Sequence, residues 1–316
     1  MSYDAKNKLG LNFYHLDPRW CSYEDFDYFV DRGFVNSVIL TMDSYGTTLH
    51  ACKKMQEIGG AVWLCAPVYF SRKEKLEEYM AKIARYVDRL KNDGVWDTVV
   101  GFHWDEPLLH CPHTNEDLLE MTKALSEEYG KRIYPVFSGY EVLGKKGNHD
   151  DPEGILILES FATKYITDAG FDSYGYDFRV PSTQAMQNRI AELSKTPDFE
   201  GITSSVGYYE RYFDALKNRL INPDTKIWVY PCAYNVYTWA GIFSDEDYCI
   251  AHLNGLTDIL LKQEHPGGIS CYTYKSWSPE HRSMDYYLGK NCPERWEKFE
   301  AALIDVYNKI KDIEVK

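Results

Sequence analysis

Short apolar segments alternate with helical patterns along the chain, and this alternation constrains the fold more than any other feature. Eight segments have the length and the β-branched or aromatic content of strands that are buried on both faces. They cover residues 11–15, 37–41, 61–66, 99–106, 132–137, 173–177, 226–231 and 269–274. The alternation predicts an α/β protein, a single (β/α)8 TIM barrel that forms one catalytic domain over residues 1–316. An open doubly wound sheet is the competing architecture, but the glycine-rich phosphate loop that usually follows its first strand is missing here.

Helices are predicted between these strands. Residues 73–91 carry apolar side chains at helical spacing and form the clearest amphipathic pattern. A weaker pattern predicts a helix over residues 156–169, directly before the sixth strand. The polar, turn-rich residues 145–154 are expected to form an excursion on the surface.

The composition narrows the class of ligand. Aromatic residues make up 15% of the chain, with 26 Tyr and 8 Trp. Rings that carry a polar group suit carbohydrate, because they stack on the apolar faces of sugars while their hydroxyls bind sugar hydroxyls. The formal net charge of −13 argues against nucleic acid or an anionic membrane surface as a partner. No apolar run approaches the ~20 residues of a membrane span.

The cysteines and the N-terminus bear on the compartment. Eight cysteines are scattered without a C-x-x-C pair or the spacing of zinc ligands. We interpret them as reduced residues of the core, which favours the cytoplasm. The first residues lack the apolar segment of a signal peptide, although a signal removed earlier would make the protein a secreted one. No motif for a cofactor is present, and the sequence makes no prediction of oligomeric state.

The fourth predicted strand ends in two adjacent carboxylates. Residues 99–107 form an apolar run that closes with Asp105, Glu106 and Pro107, and the proline should end the strand because it cannot donate to a sheet. In parallel α/β barrels the catalytic residues come from the carboxyl ends of strands. These two carboxylates are therefore candidates for chemistry. The alternative is that they only cap the following helix.

Other strand ends share one chemical character. They carry carboxylates, an amide and aromatic rings, with almost no Lys or Arg, a set that suits a neutral polyhydroxylated substrate. Its members are Asp17, Asp43, Asp105, Glu106, Glu141, Asp177, Tyr234, Asn235, Tyr274 and Trp277.

The segment Trp104-Asp105-Glu106-Pro107 resembles the Trp-Asn-Glu-Pro signature of retaining glycoside hydrolases that have (β/α)8 barrels. The resemblance implies that Glu106 is the general acid/base. It places Asp105 where that clan has the asparagine that binds the sugar 2-hydroxyl. Trp277 resembles the aromatic platform under the sugar at the cleavage point.

The chain departs from that signature in two ways. Asp105 replaces the asparagine, and a neighbouring like charge raises the pKa of one partner, which suits an acid that must keep its proton. The clan's nucleophilic Glu belongs at the end of the seventh strand, but residues 230–235 contain no carboxylate. Glycoside cleavage normally needs two carboxylates. Our first choice for the second is Asp177, at the predicted end of the sixth strand, with Asp43 and Glu141 as weaker candidates.

Several further interpretations stay open. Besides the catalytic set of Glu106, Asp105 and Asp177, we predict these sugar-binding residues: His15, Asp43, His103, Tyr176, Tyr234, Asn235, Tyr274 and Trp277. Substrate assistance, as in hexosaminidases with an adjacent Asp-Glu pair, would need only the pair at 105–106. A barrel that binds carbohydrate without cutting it is a second alternative. A third is a metal-dependent sugar enzyme that uses His15, His103 and Asp105, although no H-x-H or H-E-x-x-H spacing occurs and we predict no metal.

Overall fold

The strands of the protein form one ring. A computed structural model describes residues 5–65, 76–109, 114–143, 157–174, 176–179, 184–195, 197–235, 243–276 and 278–315. Eight strands of the described residues form one parallel sheet: β1 (Gly10–Phe13), β2 (Ser37–Thr41), β3 (Ala61–Cys65), β4 (Val99–Asp105), β5 (Arg132–Ser138), β6 (Asp168–Asp172), β7 (Lys226–Tyr230) and β9 (Pro266–Cys271). Each strand pairs with the next around the sheet, and β9 lies between β7 and β1.

The ring closes between β1 and β2 through hydrogen bonds of Asn36 and through one from Asn12 Nδ2 to Ser37 Oγ at 3.1 Å. The Oδ1 atom of Asn36 accepts a hydrogen bond from Leu11 N at 2.6 Å, and its Nδ2 atom donates to Leu9 O at 2.9 Å. The backbone N–H of Asn36 donates to Leu11 O at 3.0 Å. The first and last strands of the sheet are thus joined, which confirms the predicted (β/α)8 barrel.

Helices cover the outside of the ring. They are α1 (Tyr23–Asp31), α2 (Tyr45–Glu57), α3 (Leu76–Asn92), α4 (Asn115–Tyr129), α5 (Gly139–Leu143), α6 (Gln184–Leu193), α7 (Ser205–Lys217), α8 (Glu246–Leu260), α9 (Met284–Tyr287) and α10 (Glu297–Ile310). A two-residue antiparallel pair, β8 (Tyr234–Asn235) with β10 (Arg282–Ser283), lies beside the barrel sheet. Local sequence sets the helix ends: α4 begins with a capping box between Thr114 and Asp117 and ends at Gly130, whose φ is 60°.

Aromatic rings fill the inside of the barrel. Trp63 lies edge-on to Trp228 with ring centroids 5.7 Å apart, and Tyr134 stacks on Trp228 at 4.6 Å. Glycines on neighbouring strands leave the room for them, because a Cβ on Gly101 would lie 2.5 Å from Trp63 and one on Gly268 would lie 2.5 Å from Trp228. The interior is therefore a packed core, and the carboxyl ends of the strands form its upper rim.

The predicted sixth strand and the helix before it were wrong. The strand is Asp168–Asp172 and not residues 173–177, and a single 3-10 turn at Ser160–Thr163 occupies part of the predicted helix 156–169. The reason is that β6 carries polar groups whose partners are distant in sequence. Asp168 accepts hydrogen bonds from Arg132 Nε and from Trp228 Nε1, each at 2.9 Å. Local hydrophobicity therefore does not mark this strand.

The described cysteines and helices bear on disulfide formation and on membrane insertion. Every cysteine in the described ranges is a free thiol, at positions Cys21, Cys52, Cys65, Cys232, Cys249, Cys271 and Cys292. Within the same ranges, the helices fall short of the length and apolarity that crossing a bilayer requires. The predicted excursion at residues 145–154 lies outside the described residues.

Candidate active site at the carboxyl ends of the strands

Glu106 follows β4 directly and lies at the rim of the barrel. Its N–H donates to Val136 O at 2.9 Å, which extends the ladder between β4 and β5 by one residue. Its φ is 40°, a value in the left-handed region that costs a non-glycine residue about 1–2 kcal/mol. Such strain is common where a side chain must be aimed for function. The residue is 8% exposed.

A cavity of about 400 Å³ opens at the ends of β4, β5 and β6. Two carboxylates line it, Glu106 and Asp172. Tyrosines supply much of the remaining wall: Tyr140, Tyr174, Tyr176, Tyr208 and Tyr212. A concave site with aromatic walls and a few converging polar groups is the usual form of a small-molecule site.

Asp172 is the last residue of β6 and faces the other carboxylates. Tyr174 donates a hydrogen bond to its Oδ2 atom at 3.2 Å. Burial raises the pKa of Asp172 well above its usual range, and repulsion from Glu106, Asp105 and Glu141 adds to this effect. Four carboxylates at the ends of β4 and β6 and on α5, directly after β5, therefore act on one another, and together they favour the retention of protons.

Glu141 lies on α5 and is 0% exposed. Its Oε1 atom accepts from Leu108 N at 2.8 Å, and its Oε2 atom accepts from Ser138 N at 2.7 Å. Burial, followed by repulsion from Glu106, raises the pKa of Glu141 to about 8, while the hydrogen bonds from Ser138 and Leu108 act in the opposite direction. The charge of Glu141 therefore interacts with Glu106 and Asp172, the two carboxylates that line the cavity.

Asp105 faces the hydroxyl-bearing rings at the top of the barrel interior. The Tyr14 hydroxyl donates a hydrogen bond to it, and burial together with the Asp105 charge raises the pKa of Tyr14 well above its usual range. His103, two residues earlier, is fully buried, with its Nε2 atom 3.4 Å from Tyr230 Oη. Burial lowers the pKa of His103 to about 3, so its ring is neutral at physiological pH. The alternation of side chains along β4 thus places His103 and Asp105 on one side of the strand.

His15 follows β1 with a φ of 62°, and its Nδ1 atom lies 2.8 Å from Thr273 Oγ1. Burial, with a smaller effect from Arg19, lowers the pKa of His15 to about 3. Among the residues that the structure describes, no group of three or more His, Cys, Asp or Glu could hold a metal ion. The metal-site alternative therefore lacks a described set of ligands.

The structure places Asp177 away from the cavity lining. Asp177 is 2% exposed, and Arg179 binds it through Nε at 3.0 Å and Nη2 at 2.8 Å. The same guanidinium reaches Asp245, the N-cap of α8, at 3.0 Å. The prediction put Asp177 at a strand end only because β6 was placed five residues too late. Its carboxylate joins this loop to α8, and Asp172 occupies the strand end instead.

Two of the predicted sugar-binding residues lie at or beside the cavity, and a third belongs to the β8–β10 pair. Tyr176 lines the cavity and stacks on Tyr208 with ring centroids 3.5 Å apart. Burial raises the pKa of Tyr176 to about 12, so its hydroxyl remains a donor. Tyr234 packs edge-on against Tyr174 at 5.9 Å, while Asn235 pairs with β10.

The remaining predicted residues lie elsewhere. Asp43 forms an ion pair with Arg19, and Tyr274 packs against Phe29 at 5.1 Å. Arg19 and Tyr274 line a second, polar cavity of about 420 Å³. Trp277 lies outside the described residues. An aromatic residue that is described, Tyr272 after β9, stacks on Tyr174 at 4.8 Å and was not singled out in the sequence.

Asp172 is the cavity carboxylate that sequence reasoning missed. It ends its strand as Asp105 ends β4, and it precedes an aromatic residue by two positions. A strand ending in Asp was the available signal, but the segment around Gly170 was interpreted as the end of a helix.

Several solved structures that share this fold are glycoside hydrolases. A GH113 β-1,4-mannanase is 8% identical with a TM-score of 0.52, covering 96% of this chain and 99% of its own. A GH2 β-galacturonidase from Eisenbergiella tayi bound to galacturonate is 11% identical with a TM-score of 0.57, covering 95% and 51%. A β-glucuronidase from Ruminococcus gnavus in complex with D-glucuronic acid is 10% identical with a TM-score of 0.52, covering 93% and 49%.

The chain thus spans about half the length of the glucuronidase and the galacturonidase. No protein-family model and no curated protein matches the sequence. Identities near 10% relate these proteins by fold, and the site must carry the argument for function.

Proposed function

We propose that the protein is a glycoside hydrolase that cleaves a glycosidic bond in an oligosaccharide or glycoconjugate. One observation carries the proposal: Glu106 and Asp172, from the ends of two barrel strands, line a single cavity whose walls are rich in tyrosine. Two carboxylates flanking a sugar site are the usual requirement of this chemistry. The glycosidase fold of the structural neighbours supports the same class.

The proposed roles follow from position. Glu106 is the general acid/base, as its sequence context implies, and Asp172 takes the second role that the sequence had given to Asp177. Asp105, held by the Tyr14 hydroxyl, orients the substrate or adjusts the acidity of its neighbours. Tyr176 and Tyr174 offer ring faces and hydroxyls to the sugar.

The electrostatics bear on how a proton is shared in the site. Burial raises the pKa of Asp172, and repulsion from Glu106 adds to the rise. Carboxyl groups that interact in this way release their protons in separate steps, so one proton is kept towards neutral pH. The proposed roles require that proton on the acid, Glu106, and a charged Asp172 at the moment of cleavage, because glycoside hydrolysis starts from one protonated and one charged carboxyl group.

The direct test compares three variants on a panel of aryl glycosides. Glu106→Gln should lower the rate on phenyl glycosides by roughly 10²–10⁴-fold, because proton donation to the leaving group is lost. It should retain much more activity on dinitrophenyl glycosides, whose leaving group needs no proton. Asp172→Asn should lower the rate on both substrates by at least about 10²-fold.

Asp177→Asn is the matched control. It removes a buried carboxylate outside the cavity and should affect the melting temperature more than the rate. If Asp177→Asn abolished the activity while Asp172→Asn left it intact, the assignment of the second carboxylate would be wrong. If the wild-type protein bound sugars in isothermal titration but released no product from any glycoside, the non-catalytic binding barrel would replace the enzyme.

Substrate assistance is a second candidate mechanism, favoured by the adjacent carboxylates Asp105 and Glu106, both of which face Asp172. It predicts activity confined to 2-acetamido sugars and little loss in Asp172→Asn. NMR of the first-formed anomer gives the stereochemical outcome.

The free cysteines of the described chain support the further proposal of a cytoplasmic location.

A further inference from the structure

We propose that Glu141 is a positioning residue whose carboxylate holds the turn that presents Glu106. The inference rests on the proposed function, because it takes Glu106 to be the acid. Glu141 does not line the described cavity, so it acts through its neighbour and not on the substrate.

Both oxygens of Glu141 are used, and they reach two strand ends. Oε1 accepts from Leu108 N at 2.8 Å, two residues after Glu106. Oε2 accepts from Ser138 N at 2.7 Å and from Ser138 Oγ at 3.1 Å, at the end of β5. The carboxylate therefore ties the loop after β4 to the end of β5.

The turn that it holds begins at Glu106 itself. Leu109 N donates to Glu106 O at 3.0 Å, and Glu106 N donates to Val136 O at 2.9 Å. Leu108 is 2% exposed, so its N–H lies in the protein interior and bonds to Glu141. This bond fixes the segment directly after the residue with a φ of 40°. A turn that is fixed on both sides sets the direction of the Glu106 side chain.

Glu141 is itself anchored. Its backbone oxygen accepts from Leu158 N at 2.7 Å, and the oxygen of its neighbour Val142 accepts from Arg219 Nε at 2.6 Å. Glu141 is thus held through its backbone as well as through its carboxyl group. Each of its two oxygens accepts from a backbone N–H group, which the oxygens of a carboxyl group can do in either protonation state but an amide nitrogen cannot. An amide would turn one N–H group towards another.

Glu141→Gln tests the proposal with a nearly isosteric change. We expect kcat on phenyl glycosides to fall by about 10–10²-fold with little change in KM, since displacement of a catalytic group by an ångström costs about this much. We also expect faster hydrogen exchange of the Leu108 amide, and a displaced Glu106 carboxylate when crystal structures of the variant and the wild type are compared.

Glu300→Gln is the matched control, because Glu300 is 8% exposed and bound to Arg295 at 2.8 Å on the outside of the barrel. It should lower the melting temperature and leave kcat unchanged. The proposal would be overturned if, in Glu141→Gln, the Glu106 side chain kept its position and the Leu108 amide exchanged its hydrogen at the wild-type rate. It would also be overturned if the turn were released and kcat stayed unchanged. If the wild-type protein cleaved no glycoside, the proposed function would fail, whereas the structural comparison would still decide whether Glu141 positions Glu106.

Discussion

Three neighbouring carboxylates act on Asp172 at the carboxyl ends of the strands. Burial raises its pKa, and repulsion from Glu106, Asp105 and Glu141 adds to the rise. The hydrogen bond from Tyr174 acts in the opposite direction because it stabilises the charged form. The pKa of Asp172 is therefore set by opposing effects, one of which is the hydrogen bond from the Tyr174 hydroxyl.

Tyr174→Phe removes that hydroxyl. The pKa of Asp172 should rise further, so the acidic limb of the kcat/KM profile, where Asp172 loses its proton, should move to higher pH. The measurement is the pH dependence of kcat/KM on an aryl glycoside. Tyr165→Phe, which removes a hydroxyl 3.3 Å from Glu127 at the exposed surface, should leave the limb in place. An unmoved limb in Tyr174→Phe would refute the role of Asp172.

The pairing and packing of the barrel strands depend on a few buried polar residues and glycines. Asn36 joins β1 to β2 by satisfying the N–H of Leu11 and the carbonyl of Leu9, and it is 1% exposed. Asn36→Ala leaves both backbone groups buried without their partner, which should lower the free energy of unfolding by about 3 kcal/mol. Urea denaturation measures this loss.

Asn222→Ala provides the comparison for Asn36. Its Oδ1 atom accepts from Asp224 N at 3.0 Å in an exposed turn, where water can replace the bond. The expected loss is under about 1 kcal/mol. Equal losses in the two variants would contradict the view that Asn36 closes the barrel.

Gly170 allows β6 to pass beneath the ring of Tyr230. A Cβ at this position would lie 2.7 Å from that ring and 3.2 Å from Val136. Gly170→Ala should therefore destabilise the protein by about 1–3 kcal/mol. Gly46→Ala in α2, where the nearest described atom would be 3.9 Å away, should be neutral or stabilising, because alanine favours helix. Thermal unfolding of both variants checks the pair.

The same features explain how far the sequence could predict the fold and the site. Strands such as β2 and β7 are continuous apolar runs, and their bounds were predicted to within a residue. The motif at Glu106 is local and was found. The strand β6 was misplaced because its polar side chains find partners on β5 and β7, and Asp172 was missed with it. The contact between Glu141 and Leu108 spans 33 residues and has no local signal.

At the scale of the whole molecule, buried acids link folding to pH. Burial raises the pKa of Glu141 to about 8, against about 4.3 for an unfolded chain. A raised carboxyl pKa means that the folded state binds the extra proton. The stabilisation is fully present below pH ~4 and is lost as the pH rises towards 8.

The stability of the wild-type protein should therefore fall more steeply from pH 6 to pH 8 than that of Glu141→Gln. The difference in slope should approach about 1.4 kcal/mol per pH unit, the value for one proton. Urea denaturation at each pH measures it. The exposed Glu192→Gln changes the formal net charge of −13 by the same amount and should keep the wild-type slope. Identical slopes in all three proteins would show that Glu141 does not hold this proton.

The perpendicular pair of Trp63 and Trp228 gives the barrel an optical property. Their rings are 5.7 Å apart at 89°, and they come from β3 and β7, on opposite sides of the ring of strands. Two indoles fixed in this way are coupled, and their joint contribution to the circular dichroism of the protein depends on both strands being in place. That contribution therefore reports the packing of β3 against β7 across the barrel, with no ligand or substrate added.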